Sequence, residues 1–567
     1  MRLYHDSRNI AYRAPFGARA CLEEVCLRCD APGAEEVILR LWVDDHEERH
    51  RMAELGNGKF EAAIRLPEKP GLVWYYFIAR RGNIERYLGN AWDNLGGEGC
   101  EYQNEPPSFQ ITVYDPAFET PEWLRKGLMY QIFPDRFCRS GSMDGWDREP
   151  AAFYAPETGS EEPDYFYGDL DGIAKKLPHL KKLGVTILYL NPIFQAASVH
   201  RYDTSDYENV DERLGGNEAF DRLQSACRQN GIRLILDGVF SHTGADSRYF
   251  NKYGHYDSVG ACQSQESPYS SWYRFDAWPE EYECWWGFKH LPNTNENDPN
   301  YREYIRGIIR KWLDAGASGW RLDVADELPM DFLRMLRKTA GDAPLIGEVW
   351  EDASRKVAYN ELRCYCLGDT VDSVMNYPCW EMLTGFLMGK INAPQAARQL
   401  EALRESYPPT FFHALMNMTG SHDRPRILEM LSGEWKKNSP KEQRRATTLS
   451  AEGRARGGKL LLAMYNFLCS MPGVPSVYYG DEAGLAGVDD PFNRRPFPWN
   501  CMDEVLMDGF VRAGQRRMSD EIWTMGESLF EADGDDRLKV TRMLGERTVC
   551  AVLDRAQMEC AITECFT

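Results

Sequence analysis

The sequence predicts an α/β protein built on a (β/α)8 TIM barrel, with an amino-terminal β-sandwich, an insertion after barrel strand 3, and a short carboxyl-terminal β domain. Three observations predict it. Eight short apolar runs alternate with amphipathic helical segments through the middle of the chain. The stretch up to about residue 114 instead alternates apolar and polar residues in the manner of antiparallel sheet. Finally, 567 residues exceed one ordinary core, whereas a barrel with insertions and flanking units accommodates them.

In the first stretch, residues 37–43, 60–64, 74–79 and 109–113 read as strands, and Gly56-Asn57-Gly58 reads as a hairpin turn. Asp115-Pro116 and Thr120-Pro121 then punctuate the chain, so the sandwich is expected over residues 1–118. The eight barrel runs are 128–133, 186–190, 233–240, 319–324, 345–349, 373–377, 412–418 and 476–479. Helices are expected at 173–183, 218–230, 301–315 and 459–470, where apolar residues recur every three or four positions. The barrel is thus expected over 119–510. An insertion at 240–295, rich in Tyr, Trp, Asn and Gly, is far longer than a usual connection and is expected to serve function. The tail, 511–567, is expected to hold three strands at 529–530, 538–543 and 549–553.

Composition narrows the partners. The formal net charge of -21 repels phosphate backbones and anionic lipid, so neither nucleic acid nor a membrane surface is expected, and a neutral ligand such as a sugar fits better. Residues 1–14 lack the apolar core of a secretory signal, and no run is long enough to span a bilayer. The sixteen cysteines are scattered, many within apolar runs, as at Cys227, Cys469 and Cys550, and read as reduced thiols of a cytoplasmic protein. Cys26 and Cys29 make one CxxC, and Cys364 and Cys366 lie two apart. With no second pair at metal-ligand spacing, these read as packing residues and no metal ligand is assigned.

The polar residues gather where a barrel puts its chemistry, at the carboxyl ends of strands. Asp237 and His242 follow the third strand, Arg321 and Asp323 end the fourth, Glu348 ends the fifth, and His422-Asp423 follows the seventh. Arg321 and Asp323, two apart on a strand, leave the same face, and a guanidinium there favours an ionised carboxylate suited to attack an anomeric carbon. Glu348 sits among Leu345, Ile346, Gly347, Val349 and Trp350, neighbours that raise a carboxyl pKa and keep a general acid protonated. That division of labour is the one a retaining glycosidase needs, with its two carboxyls roughly 5 to 5.5 Å apart.

Four segments carry a resemblance. Asp237-Gly238-Val239-Phe240-Ser241-His242, Gly319 through Glu327 (GWRLDVADE), Gly347-Glu348-Val349-Trp350 and Gly420-Ser421-His422-Asp423 resemble, in order and spacing, the signature regions of the α-amylase family, glycoside hydrolase family 13. The segments GVTILYLNPIF (184–194), HRYDTSDY (200–207) and GVPSVYYGDEAG (473–484) extend the likeness over about 128–499. The resemblance implies Asp323 as nucleophile, Glu348 as acid/base and Asp423 as the residue that binds sugar hydroxyls and stabilises the transition state. It implies a substrate-binding set of His200, Tyr202, Asp237, His242, Arg321, Glu327, His422 and Arg426. Tyr202 would stack under the sugar ring.

The Val-Ala-Asp-Glu ending after Asp323, together with the amino-terminal sandwich, is most similar to the neopullulanase, cyclomaltodextrinase and maltogenic amylase group. That similarity implies a carbohydrate-binding-like amino-terminal domain, often used for homodimerisation, and a retaining hydrolase of α-1,4 and α-1,6 linkages in maltooligosaccharides, cyclomaltodextrins or pullulan. With a sugar as acceptor the same site implies a transglycosylase or isomerase; without turnover, a carbohydrate-binding protein. No cofactor is expected to be required. Ser241 stands where relatives place an Asn ligand for calcium, and a hydroxyl is the poorer ligand. Gly168-Asp169 resembles part of a second calcium site, but the facing loop 139–144 lacks most of the ligands. Asp326 and Arg424 also depart from the group, which has Asn and Thr there, and both stand on the acceptor side.

Overall fold

A computed structural model describes residues 2–43, 45–150, 164–436 and 448–565. Its centre is an eight-stranded sheet in which every hydrogen-bonded neighbour is parallel. The strands are Met129–Ile132, Ile187–Leu190, Arg233–Gly238, Gly319–Leu322, Leu345–Gly347, Ser373–Val374, Met416–Met418 and Val474–Tyr478. Apart from Arg233 all their residues are buried, as near-continuous apolar runs must be when helices cover one face and the barrel interior the other. Closure falls between strands six and seven, where Met375 bridges Met416 and Asn376 N–H donates to Met416 O at 2.9 Å.

Each expected barrel run overlaps its strand, but the ends differ, and the eighth strand begins at Val474, before its expected run. Strand seven begins at Met416 rather than at 412, because Phe412 belongs to a helical turn, Pro409–Phe412, whose first position suits a proline. Tyr377 opens a helix, Tyr377–Leu387, with Asn376 as its cap. The single helix expected at 173–183 is two, Leu170–Lys175 and Leu177–Leu183, because Pro178 can sit only in a first turn. The expected boundary between residues 510 and 511 falls inside one helix, Glu504–Ser519. The tail beyond it carries four antiparallel strands rather than three, the additional one being Glu559–Cys565. Between strands five and six there is no helix at all. That connection carries a short hairpin, Lys356–Ala358 with Glu361–Arg363.

The amino-terminal unit is two stacked sheets, of four and seven strands. Glu24–Asp30 puts Val25, Leu27 and Cys29 inside, against Leu39, Leu41, Tyr75, Phe77 and Phe109 from the other sheet. Cys26 therefore points away from Cys29, since strand neighbours three apart leave opposite faces. The insertion packs its own small core around Phe250, with the rings of Tyr273 and Tyr282 at 4.9 and 4.7 Å. No helix among the described residues is long and apolar enough to cross a membrane.

One carboxylate ties the sandwich to the barrel. Glu405, on the barrel helix Ala393–Ser406, accepts from Arg8 Nε at 3.0 Å and from Arg13 Nη1 at 2.9 Å; Arg13 is fully buried. Gly96, at φ +72°, leaves the room this needs, since a Cβ there would stand 2.4 Å from Glu405 Oε2. Removing the carboxylate strands a buried guanidinium. Glu405→Ala is expected to destabilise the fold by about 3–5 kcal/mol, read as a lower urea midpoint; an unchanged midpoint would show that the clamp contributes no stability.

Candidate active site

The fourth strand sets the geometry. Its alternation sends Arg321 and Asp323 to one side, where Arg321 is fully buried and surrounded by carboxylates. Arg321 Nη1 donates to Asp237 Oδ1 at 2.8 Å and to Asp323 Oδ1 at 2.7 Å. Its Nη2 lies 2.7 Å from Glu348 Oε2, outside hydrogen-bonding geometry. Glu348 Oε2 accepts instead from the Val324 N–H at 2.9 Å. Val324 adopts φ +38°, a strained conformation for a β-branched residue that holds about 1–3 kcal/mol.

A second group of side chains faces this one. The Tyr202 hydroxyl sits 3.0 Å from Asp237 Oδ2 and 2.6 Å from His422 Nε2, and its ring stacks on the His422 imidazole at 5.2 Å. Asp423 Oδ2 lies 3.1 Å from His422 Nε2, and Asp423 Oδ1 lies 3.5 Å from Arg494 Nη2. Arg494 also approaches Asp490, at 3.2 Å. His242 shares a hydrogen bond with Ser241 Oγ through Nδ1 and presents a buried, unpartnered Nε2.

All of this opens into one cleft of about 850 Å³. Asp323, Glu348, Asp423, His200, Tyr202, His242, Glu327 and His422 line it, so eight of the eleven expected site residues come together. Three do not line it. Asp237 lies beneath, taking hydroxyls from Tyr189 and Tyr202, and Arg321 lies beside it under the carboxylates. Arg426 is not a sugar ligand in this geometry: buried, it bonds Asn493 O, Tyr479 O and Asp481 Oδ1 and stacks on Tyr478 at 4.0 Å. An arginine three residues past Asp423 points into the barrel wall because Asp481 holds it there.

Several cleft residues went unread in the sequence: His290, Trp350, Lys356, Tyr359, Asp490 and Arg494. The signal for Asp490 and Arg494 was their place after the eighth strand, where loops of this architecture converge. Of the aromatic residues of the insertion, Trp285, Trp286 and Phe288 line the cleft, while Trp272 and Tyr273 are core.

Burial dominates the electrostatics. One guanidinium among three carboxylates cannot neutralise them all, and desolvation raises Asp237, Asp323 and Glu348, the last to about 7, against the opposing pull of Arg321. The expectation that Arg321 alone keeps Asp323 ionised therefore needs correction, because its charge is shared. Burial also drives His200 and His422 well below the usual imidazole range and His242 down to about 3. Gln131 Nε2 donates to His422 Nδ1 at 3.1 Å, leaving the ring proton on Nε2, toward Tyr202 and Asp423. Nitrogen-15 NMR is expected to find His422 neutral, with its proton on Nε2, at pH 5; an imidazolium signal there would contradict this environment.

Asp169 accepts from Ser140 N–H, Ser140 Oγ and Gly172 N–H, so it works as a helix cap. Among the described residues no group of three or more His, Cys, Asp or Glu is placed to hold a metal ion.

Residues 131–537 match the family description alpha amylase, catalytic domain. The chain belongs to the α-amylase family. It is 35% identical over 593 residues to an amylopullulanase of Thermoanaerobacterium thermosulfurigenes, covering 93% of this chain and 31% of that protein. It is 31% identical over 525 residues to a cyclomaltodextrinase of Geobacillus thermopakistaniensis, covering 87% of this chain and 82% of that one. The chain spans less than half the length of the amylopullulanases it matches. Among solved structures of the family, the ligand-free cyclic alpha-maltosyl-(1→6)-maltose hydrolase of Arthrobacter globiformis superposes with a TM-score of 0.66 at 30% identity. That match covers 76% of this chain and 92% of the other.

Proposed function

We propose that the chain is a retaining α-glucan hydrolase, cleaving α-1,4 and α-1,6 glucosidic bonds of short maltooligosaccharides, cyclomaltodextrins or pullulan. The observation that carries this reading is the pair Asp323 and Glu348, both against Arg321 and both facing an aromatic-walled cleft. Asp323 receives the directed hydrogen bond from Arg321, whose charge opposes the desolvation that raises this carboxyl, and that bond aims it for attack; burial pushes Glu348 up to about 7, where it can carry the proton. Glu348 protonates the glycosidic oxygen as Asp323 attacks the anomeric carbon. The leaving sugar departs with that proton, and a glucosyl ester remains on Asp323. Glu348, now ionised, takes a proton from water, whose oxygen displaces the carboxylate. Asp423, between His422 and Arg494, binds hydroxyls of the distorted ring, and Tyr202 supports the ring from below.

Membership of the family and the names of the relatives support the substrate class; the cleft supports the roles. Transfer to a sugar acceptor is a second reading, favoured by the apolar wall of Trp285, Trp286, Phe288 and Trp350, which seats a ring and excludes water.

Initial rates on β-cyclodextrin, pullulan, starch and maltotriose test the substrate class, and proton NMR of the first product tests the stereochemistry. Release of the α-anomer is expected; β-anomer would overturn retention. A ladder of longer products from maltotriose would favour transfer. Glu348→Gln is expected to lower kcat about 10²–10⁴-fold, and Asp323→Asn at least as much. Equal, background release of reducing sugar by wild type and Asp323→Asn would leave only sugar binding. Since the acid must be protonated, kcat/KM is expected to fall as pH rises through about 7. A profile flat to pH 9 would remove Glu348 from that role.

A further inference from the structure

The hairpin between barrel strands five and six is built to stand over the cleft. Lys356 pairs with Arg363 and Val357 with Leu362 across a two-residue turn. Its turn residues, Tyr359 and Asn360, have φ of 55° and 61°, the signature of a type I′ turn. Alternation puts Lys356 and Arg363 on one face, and both grip the same residue. Lys356 Nζ donates to Asp326 Oδ2 at 2.6 Å, and Arg363 Nη1 donates to Asp326 O at 2.6 Å. Arg363 also caps Leu328 O. The hairpin is thereby pinned, through its cationic face, to the residue three positions beyond Asp323.

Lys356 is the part that reaches the chemistry. It lines the cleft, and its ammonium also lies 2.6 Å from Glu351 Oε2. An ammonium carries three N–H donors, and Asp326 and Glu351 engage two. Tyr359, at the tip, lines the same wall and is 64% exposed. Trp350 and Glu351 lie two and three residues past Glu348, on the side where a general acid meets the oxygen of the leaving group. A side chain tied to Glu351 shares that side.

We infer that the hairpin 356–363 forms the binding site for the leaving glucosyl unit, with Lys356 donating to one of its hydroxyls and the Tyr359 ring packing on its apolar face. This rests on the catalytic reading above and adds to it the element that selects the leaving group. Asp326 is then the anchor of the site rather than a sugar ligand, acting by positioning Lys356. By microscopic reversibility the same site holds an acceptor sugar during transfer.

Maltotriose and 4-nitrophenyl α-maltoside separate this role from a merely structural one, because the nitrophenyl leaving group offers no hydroxyls. Lys356→Met is expected to lower kcat/KM on maltotriose about tenfold, the loss of one hydrogen bond from a charged donor. The loss is expected to be at least about fivefold larger there than for nitrophenol release. Lys356→Arg should recover most of it, and Asp326→Asn should reproduce the selective loss. Equal loss on both substrates, or none on maltotriose, would overturn the assignment. Wild type inert on both substrates would overturn the catalytic reading itself, a result distinguishable from either.

Discussion

A single buried guanidinium organises the candidate site. Arg321 lies within 2.8 Å of Asp237, Asp323 and Glu348 and has no exposed surface. Three carboxylates around one cation is an arrangement that water would relax at once by solvating each group. Inside the barrel it persists because burial makes ionisation of all three unfavourable, so protons are retained where acid chemistry can use them. The hydroxyls of Tyr189 and Tyr202 on Asp237 complete the balance from below. Every other feature of the cleft is arranged around this centre: the stacked Tyr202 and His422 on one side, the aromatic wall on the other.

Much of this was legible before any coordinates. Strand periodicity gave all eight barrel strands, and strand-end position brought Asp323, Glu348 and Asp423 to one mouth. What escaped reading depends on three-dimensional context. Arg426 follows Asp423 in the chain like a site residue, yet Asp481, more than fifty positions later, turns it inward. Lys356 looks like an ordinary surface lysine until Asp326 and Glu351 draw it to the cleft. The shared charge of Arg321 was equally hidden, because the i, i+2 pattern announces Asp323 as its partner and says nothing of Glu348, which arrives from the next strand.

The ends of elements tell the same story at lower stakes. Proline explains why the helix expected at 173–183 is broken, since a missing N–H outweighs the apolar pattern, and a helical turn that opens on Pro409 explains why strand seven starts late. The fourth strand of the tail, Glu559–Cys565, has no aromatic residue and no polar-apolar alternation, so it forms chiefly because the strand Arg547–Asp554 offers it an edge.

The strained residue Val324 has a consequence for how such a site can change over time. Glu348 N–H donates to Leu322 O, Asp326 N–H to Glu348 O, and Val324 N–H to the Glu348 carboxylate, so main-chain bonds on both sides of Asp323 stitch the ends of strands four and five together. The backbone positions that carry the two carboxyls are therefore fixed by the ends of the strands, and Arg321 orients the carboxyls themselves. Residues on the surrounding loops can drift, lengthen or exchange without disturbing that arrangement. A scaffold of this kind separates the part that must stay fixed from the part that decides which sugar is accepted.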